Sequence, residues 1–241
     1  MDSTAANDTA EPDDATILAA IGATWPPASY RQRGDWLTRD GGGGGSRVSA
    51  STAMTRGAVP DPAEAGPLVM VRPGEAALDA ALEGAGYALR DPTRILIAPS
   101  ATIAQGLPRG PRTTTGDGPV ARMEEIWAED GIGPERLAIM ERATAPKAWL
   151  AGRIGDRPAG AGFVAAHGSV AMLHALTVTG AHRRNGLATD LTRAAAHWAA
   201  INGAPWLALL VTEANAPARA LYARLGFEDR GGYHYRIRED R

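Results

Sequence analysis

Residues 177–191 read TVTGAHRRNGLATDL, a strand that runs into a glycine-containing basic turn and then into a helix. Such a junction turns several backbone N–H groups, which lack helical acceptors, toward one point. The helix dipole adds partial positive charge there, and Arg183 and Arg184 add whole charges. The turn therefore suits phosphate oxygens. Gly186 lets an anion come close to the backbone because no Cβ stands in the way, and Ala188 keeps the next turn nearly as open. Taken alone, the same residues also describe a strand–helix connection with two solvated arginines.

Working outward, residues 185–201 form a long helix with Leu187, Leu191, Ala195 and Trp198 on one stripe, ended by Asn202 and Gly203. Residues 148–154 and 159–166 read as strands joined by the GDRP turn at 155–158. Residues 170–179 are apolar on both faces and so form a central strand. Residues 121–129 and 134–142 are helices, the second opening with proline. Downstream, 206–211 is a buried strand and 216–225 a helix, with Asn215 as N-cap and Gly226 just past its end. Residues 227–238 supply the last strand or hairpin partner. The order α-α-β-β-β-α-β-α-β describes an α/β layer with helices on both faces.

The spacing R-x-x-G-x-A at Arg183, Gly186 and Ala188 resembles the Q/R-x-x-G-x-G/A motif of the GNAT N-acetyltransferases. Further on, NAPARALYARLGF at 215–227 resembles that family's N-x-x-A-x-x-L-Y-x-x-x-G-F segment. The resemblance covers residues 120–238, with Gly180 where the family commonly has proline. It implies a GNAT-like mixed central sheet with flanking helices and transfer of an acetyl group from acetyl-CoA to a primary amine. The acceptor is a small molecule or a protein N-terminus or lysine, attacked directly in a ternary complex. Backbone at Leu176, Thr177 and Val178 is expected along the pantetheine arm. Amides of Arg183, Arg184, Asn185, Gly186, Leu187, Ala188 and Thr189 are expected around the pyrophosphate. Asn215 and Ala218 are expected beside the arm, and Tyr222 at the sulfur as donor to the leaving thiolate. Tyr222 also shares an apolar stripe with Ala218, Leu221 and Leu225, so it fits a core aromatic too, and Asn215 fits a plain helix cap.

Amine attack also needs a proton acceptor. His174 lies two and four residues before Leu176 and Val178, so strict alternation puts all three on one face, where an imidazole can relay a proton through water. A satisfied polar residue inside the sheet explains His174 equally well. Glu213 is the alternative base. His182 and His197 read as surface residues, and His167 sits in an AHGS turn.

The first half is less legible. Residues 1–13 read as a disordered tail, 14–107 as a smaller α+β domain, 108–118 as a linker rich in Gly, Pro and Thr, and 119–241 as the catalytic domain. Residues 15–23 and 75–83 are helices; 35–39, 47–54, 68–71 and 94–98 are strands. The pentaglycine Gly41–Gly45 reads as a flexible hairpin tip or loop. The stretches SRVSAST and LVMVRPGEAALDAALEGAGYALRDP resemble the N-terminal repeat of tandem GNAT proteins, in degenerate form. That half lacks a basic turn, so it is expected to bind no coenzyme and to shape the acceptor cleft.

Composition narrows the remaining classes. The 241 residues carry 25 basic and 27 acidic side chains, for a net charge of −2. That balance argues against a global grip on nucleic acid or anionic lipid. With no cysteine, thiolate metal sites and a Cys acyl-enzyme are excluded, and the histidine spacing points to no metal. The acidic, polar start and the lack of a long apolar run lead to an expected cytoplasmic protein; the sequence leaves monomer and homodimer both open. The rival reading is a non-catalytic acyl-CoA-binding regulatory or interaction protein.

Overall fold

The computed structural model describes residues 10–238 apart from 109, 111 and 145; the first nine residues of the expected tail lie outside that range. Asp13 accepts from the Thr16 amide at 2.8 Å and opens α1 (Asp14–Thr24), which buries Ile17, Ala20 and Ile21. The next strands, β1 (Ser29–Arg33) and β2 (Trp36–Asp40), form an antiparallel hairpin that turns at Gly34 and Asp35. The short helix α2 (Ser46–Ser49) follows the glycine run, and β3 (Thr52–Ala53) returns to β2 to complete a three-stranded sheet.

Of the two readings of Gly41–Gly45 the structure has the loop, between β2 and α2, and one expectation is corrected: 47–54 is a helical turn plus a two-residue strand. The partner of β2 went unread because SYRQR, the whole of β1, is exposed and shows no apolar alternation. The glycine run is a packed bend: a Cβ on Gly44 would stand 2.3 Å from Ile139 Cδ1. A side chain there would force the buried Ile139 to shift, and the bend brings Val48 of α2 down onto the second half of the chain.

The first half continues with β4 (Leu68–Val71), α3 (Ala76–Gly84), β5 (Ala88–Pro99), α4 (Ser100–Ala104) and β6 (Thr113–Gly116). The second half follows the expected order: α5 (Ala121–Glu129), α6 (Pro134–Arg142), β7 (Lys147–Ile154), β8 (Arg157–His167), β9 (Val170–Val178), α7 (Leu187–Ile201), β10 (Trp206–Thr212), α8 (Ala216–Leu225) and β11 (Glu228–Ile237). Strands from both halves share one mixed eight-stranded sheet, ordered β4-β11-β5-β10-β9-β8-β7-β6.

That order crosses the expected division. The stretch 108–118 carries β6, whose β-branched threonines pair with β7 as an edge strand. More consequential is β5, which lies antiparallel between β10 and β11. Its Ile95, Leu96, Ile97 and Ala98 are all buried, so this segment requires cover on both faces and takes an interior place.

Helices α4, α7 and α8 cover one face of the sheet, around Leu150, Val164, Leu173, Leu191 and Leu207. Helices α1, α5 and α6 cover the other, around Trp127, Phe163, Ile139 and Met172. Two bulges bend strands at the centre. Ala175 and Leu176 of β9 oppose the single residue Gly162, with Ala175 at φ 50°. Asp91 and Pro92 of β5 oppose His234, with Asp91 at φ 46°. Bulges of this kind re-aim neighbouring side chains. No helix among the described residues is long and apolar enough to cross a membrane.

Candidate active site

β9 and β10 run parallel only as far as the pair Leu173 and Leu209. Beyond it they part, and a cleft of about 420 Å³ opens between them. Thr179 donates to Ala159 O on β8, in line with the pairing of Thr177 with Ala161. Alternation then turns the peptide groups of Leu176 and Val178 away from β8, toward the open side. The peptide of Thr177 faces β8, and its hydroxyl lies 3.3 Å from Asp130 Oδ2.

Leu176, Asn215, Ala218 and Tyr222 all line the cleft. Asn215 caps α8, its Oδ1 accepting from the Ala218 amide at 3.2 Å, so the cap role is real and the carboxamide N–H₂ is still available. Tyr222 is buried with its ring edge-on to Phe227, and its hydroxyl has no hydrogen-bond partner among the described residues. Burial pushes its phenol up to about 12, so it is a neutral donor throughout the range in which proteins work.

Past the end of β9 the chain makes a 3₁₀ turn, Gly180–His182, and then the basic turn. Arg183, Arg184, Asn185 and Gly186 are exposed. Gly186 sits at φ 79°, ψ −2° as the N-cap of α7 and offers no side chain to the helix start. The amides of Leu187, Ala188 and Thr189 consequently have no acceptor among the described residues. A Cβ added at Gly186 would meet no protein atom within 4 Å, so the space beside this backbone is open to a ligand. Arg183 folds back, with Nε donating to Val178 O at 3.1 Å and a guanidinium nitrogen 3.5 Å from Asp130. Leu187 is buried and anchors the helix start in the core.

His174 is corrected. The bulge at Ala175 breaks the alternation, so His174 lies on the opposite face from Leu176 and Val178, stacked between Trp25 and Phe163. Thr24 Oγ1 gives its one proton to Ala20 O at 2.7 Å and lies 2.9 Å from His174 Nε2. Nε2 is therefore the protonated nitrogen, and Nδ1 accepts from Arg47 at 3.3 Å. Burial first, and the Arg47 charge second, hold the imidazole well below the ordinary histidine range. The ring is neutral, with its basic nitrogen already engaged. Glu213 lies outside the cleft lining, 3.7 Å from Arg94. His167 and His197 are exposed and outside the cleft, and His182 bonds Thr179 at 2.9 Å.

The buried neutral histidine has a measurable consequence. Below pH about 6.5 the unfolded chain binds a proton that the folded chain refuses, so stability falls as pH falls. The slope this adds cannot exceed about 1.4 kcal/mol per pH unit. His174→Gln is expected to flatten the decline in urea-unfolding free energy between pH 6.5 and 5. An unchanged slope would show that the histidine protonates freely.

Sequence reasoning missed most of the cleft's other wall: Trp25, Arg47, Asp91, Arg136, Tyr233 and Tyr235. These come from the residue that ends α1 and from α2, β5, α6 and β11, and no local motif joins them. One cleft thus passes through the parted sheet, with Tyr222 and Asn215 toward one face and Trp25, Arg47 and His174 toward the other.

Comparison with known proteins places this arrangement. Residues 118–227 match the model of the Acetyltransferase (GNAT) family. An uncharacterized N-acetyltransferase, YobR, of Bacillus subtilis (strain 168) is 29% identical over 120 residues, 48% of this chain and 49% of that protein. This chain thus matches about half the length of that relative. A GCN5-related N-acetyltransferase from Kribbella flavida superposes with a TM-score of 0.65 at 19% identity, over 94% of each chain. A tandem GNAT protein from the clavulanic acid biosynthesis pathway superposes at 0.57 and 14% identity, over 95% of this chain and 90% of its own. At such identities these likenesses concern the fold, and they extend it to the first half of the chain. Residues 118–227 thus carry the match to the GNAT acetyltransferase family, within a chain whose fold is similar to that of GNAT proteins over nearly its whole length.

Proposed function

We propose that the protein transfers the acetyl group of acetyl-CoA to a primary amine by direct attack in a ternary complex. The observation that carries this reading is the single cleft through the parted sheet, lined by an unpartnered neutral tyrosine and continuous with a wall to which both halves of the chain contribute. Residues 119–241 supply the coenzyme side, and residues 14–107 shape the acceptor side together with Arg136, Tyr233 and Tyr235.

The uncapped amides at Leu187, Ala188 and Thr189, with those of Arg183 to Gly186, fit a pyrophosphate: donors converge there, a helix dipole points there, and no Cβ intrudes. Outward-facing peptides at Leu176 and Val178 fit an amide-containing arm, adding to the open strand edge as a further strand does. Asn215 Nδ2 fits a carbonyl of the same arm. Acetyl-CoA supplies an activated acyl carbon and a sulfur leaving group. Tyr222 donates a hydrogen bond where charge develops on that sulfur. One of the free N–H groups of β9 faces the acyl oxygen. The amine's proton leaves through water, since His174 Nδ1 is engaged and Glu213 stands outside.

The test is incubation with acetyl-CoA and an amine panel, following thiol release, together with calorimetry of coenzyme binding. Binding with amine-dependent thiol release is expected. Tight binding without release for any amine would turn the reading to a regulatory acyl-CoA-binding protein. No binding would end it.

A further inference from the structure

Resting on that reading, we infer that the acceptor is an amine whose molecule also carries an anionic oxygen group, carboxylate or phosphate, held by Arg47 on the α1 side of the cleft.

Arg47 is half-buried in the cleft wall, with its Nε fully shielded and without a partner. The one polar group it reaches among the described residues is the neutral Nδ1 of His174. Its guanidinium also lies 5.5 Å from the Trp25 ring centre. No carboxylate among the described residues neutralises it. A guanidinium drawn partly out of water without a counter-ion is costly, and the surrounding structure nevertheless fixes it. Trp25 offers a flat face, His174 holds one end, and the Gly44 bend seats α2 close against Ile139.

The rest of this wall leans the same way. Arg136 lines the cleft with only a long 3.5 Å contact to Gly131 O. The phenols of Tyr233 and Tyr235 line it too, and burial pushes that of Tyr235 up, so it remains a donor. The one carboxylate in the lining is Asp91, exposed and 3.4 Å from Arg90. A planar fork with free donors, next to neutral hydroxyl donors, matches the oxygens of a carboxylate or phosphate. It repels a polyamine or a lysine-rich peptide.

This anion is not the coenzyme's. The basic turn starts α7, which covers one face of the sheet, whereas Arg47 packs with Trp25 and His174 on the other. His174 is thereby a positioning residue: its neutral Nδ1 orients Arg47, and a charged imidazolium would repel it.

The test measures kcat/KM by thiol release for three sets of amines: free amino acids, aminoalkyl phosphates, and the neutral amides and amino alcohols that match them. We expect one anionic set to exceed its neutral counterparts at least tenfold, and which set does so identifies the oxygen group. Arg47→Gln is expected to cut that ratio about tenfold through KM rather than kcat, with Arg47→Lys between the two and acetyl-CoA affinity unchanged. Neutral amines used as well as anionic ones, no anionic amine used at all, or a ratio untouched in R47Q would each overturn the inference. The wild-type panel decides by itself if R47Q does not fold. Failure to bind acetyl-CoA would strike the underlying reading; transfer to neutral amines with no anionic preference strikes only this one.

Discussion

Tyr222→Phe is expected to lower kcat about 30-fold while acetyl-CoA affinity stays within about twofold. The size follows from one hydrogen bond to a charged acceptor, worth about 2 kcal/mol. The phenol does not have to surrender its proton completely. An alkyl thiol ionises near about 8.5, well below the value of about 12 to which burial pushes Tyr222. Full transfer to an ordinary thiolate would run uphill. In the same desolvated place the thiolate is also destabilised, which narrows the gap, and the hydrogen bond captures most of the benefit. Two further readings separate this role from packing. The ring is buried while the hydroxyl opens onto the cleft and has no partner among the described residues, so its removal should leave the melting temperature nearly unchanged. The wild-type rate should show no fall through pH 9–10, where an unperturbed tyrosine begins to ionise. Equal losses of rate, affinity and stability in Y222F would make Tyr222 a core aromatic and no more.

The parts read correctly from sequence share a physical character. α7, α8 and the strands around them announce themselves because periodicity, caps and turn residues agree locally: Pro217 in the first turn of α8, Asn215 at its cap, Gly226 at its end. The geometry of the basic turn was legible for the same reason, since it depends on one left-handed glycine and a helix start. What escaped was set by partners distant in sequence. β5 reads as a strand anywhere, but only the assembled sheet shows that it separates β10 from β11. His174 was assigned to the wrong face because alternation holds only where no bulge intervenes, and Ala175 carries no sequence mark of its φ of 50°. Arg47 gave no signal because its surroundings combine α1, the glycine bend, α6 and β9. The cleft wall with Leu176, Asn215, Ala218 and Tyr222 comes from two elements of one stretch of chain, β9 and α8 with its N-cap, and was readable; the opposite wall comes from five separate segments and was not.

That division frames the second large effect. Gly186→Glu is expected to weaken acetyl-CoA binding at least about 100-fold by calorimetry. Three or more amides face the turn, and each hydrogen bond to a charged phosphate oxygen is worth about 1.5–3 kcal/mol, so loss of about 3 kcal/mol is already a factor above 100. A glutamate there brings a like charge to the spot where donors converge, and its Cβ stands in the open space beside the backbone. Misfolding is the competing explanation, and Gly186→Ala controls for it. At φ 79° an alanine costs about 1–2 kcal/mol, but its Cβ meets no protein atom within 4 Å, so the chain should fold and keep part of its affinity. Gly186→Lys then separates bulk from charge, because it adds similar volume with the opposite sign and should bind better than the glutamate variant. Raising salt should recover some of the loss in G186E by screening the repulsion at this exposed turn, while leaving the steric part untouched. If all three variants bind acetyl-CoA as the wild type does, the phosphates lie elsewhere, and the open amides at the start of α7 hold nothing.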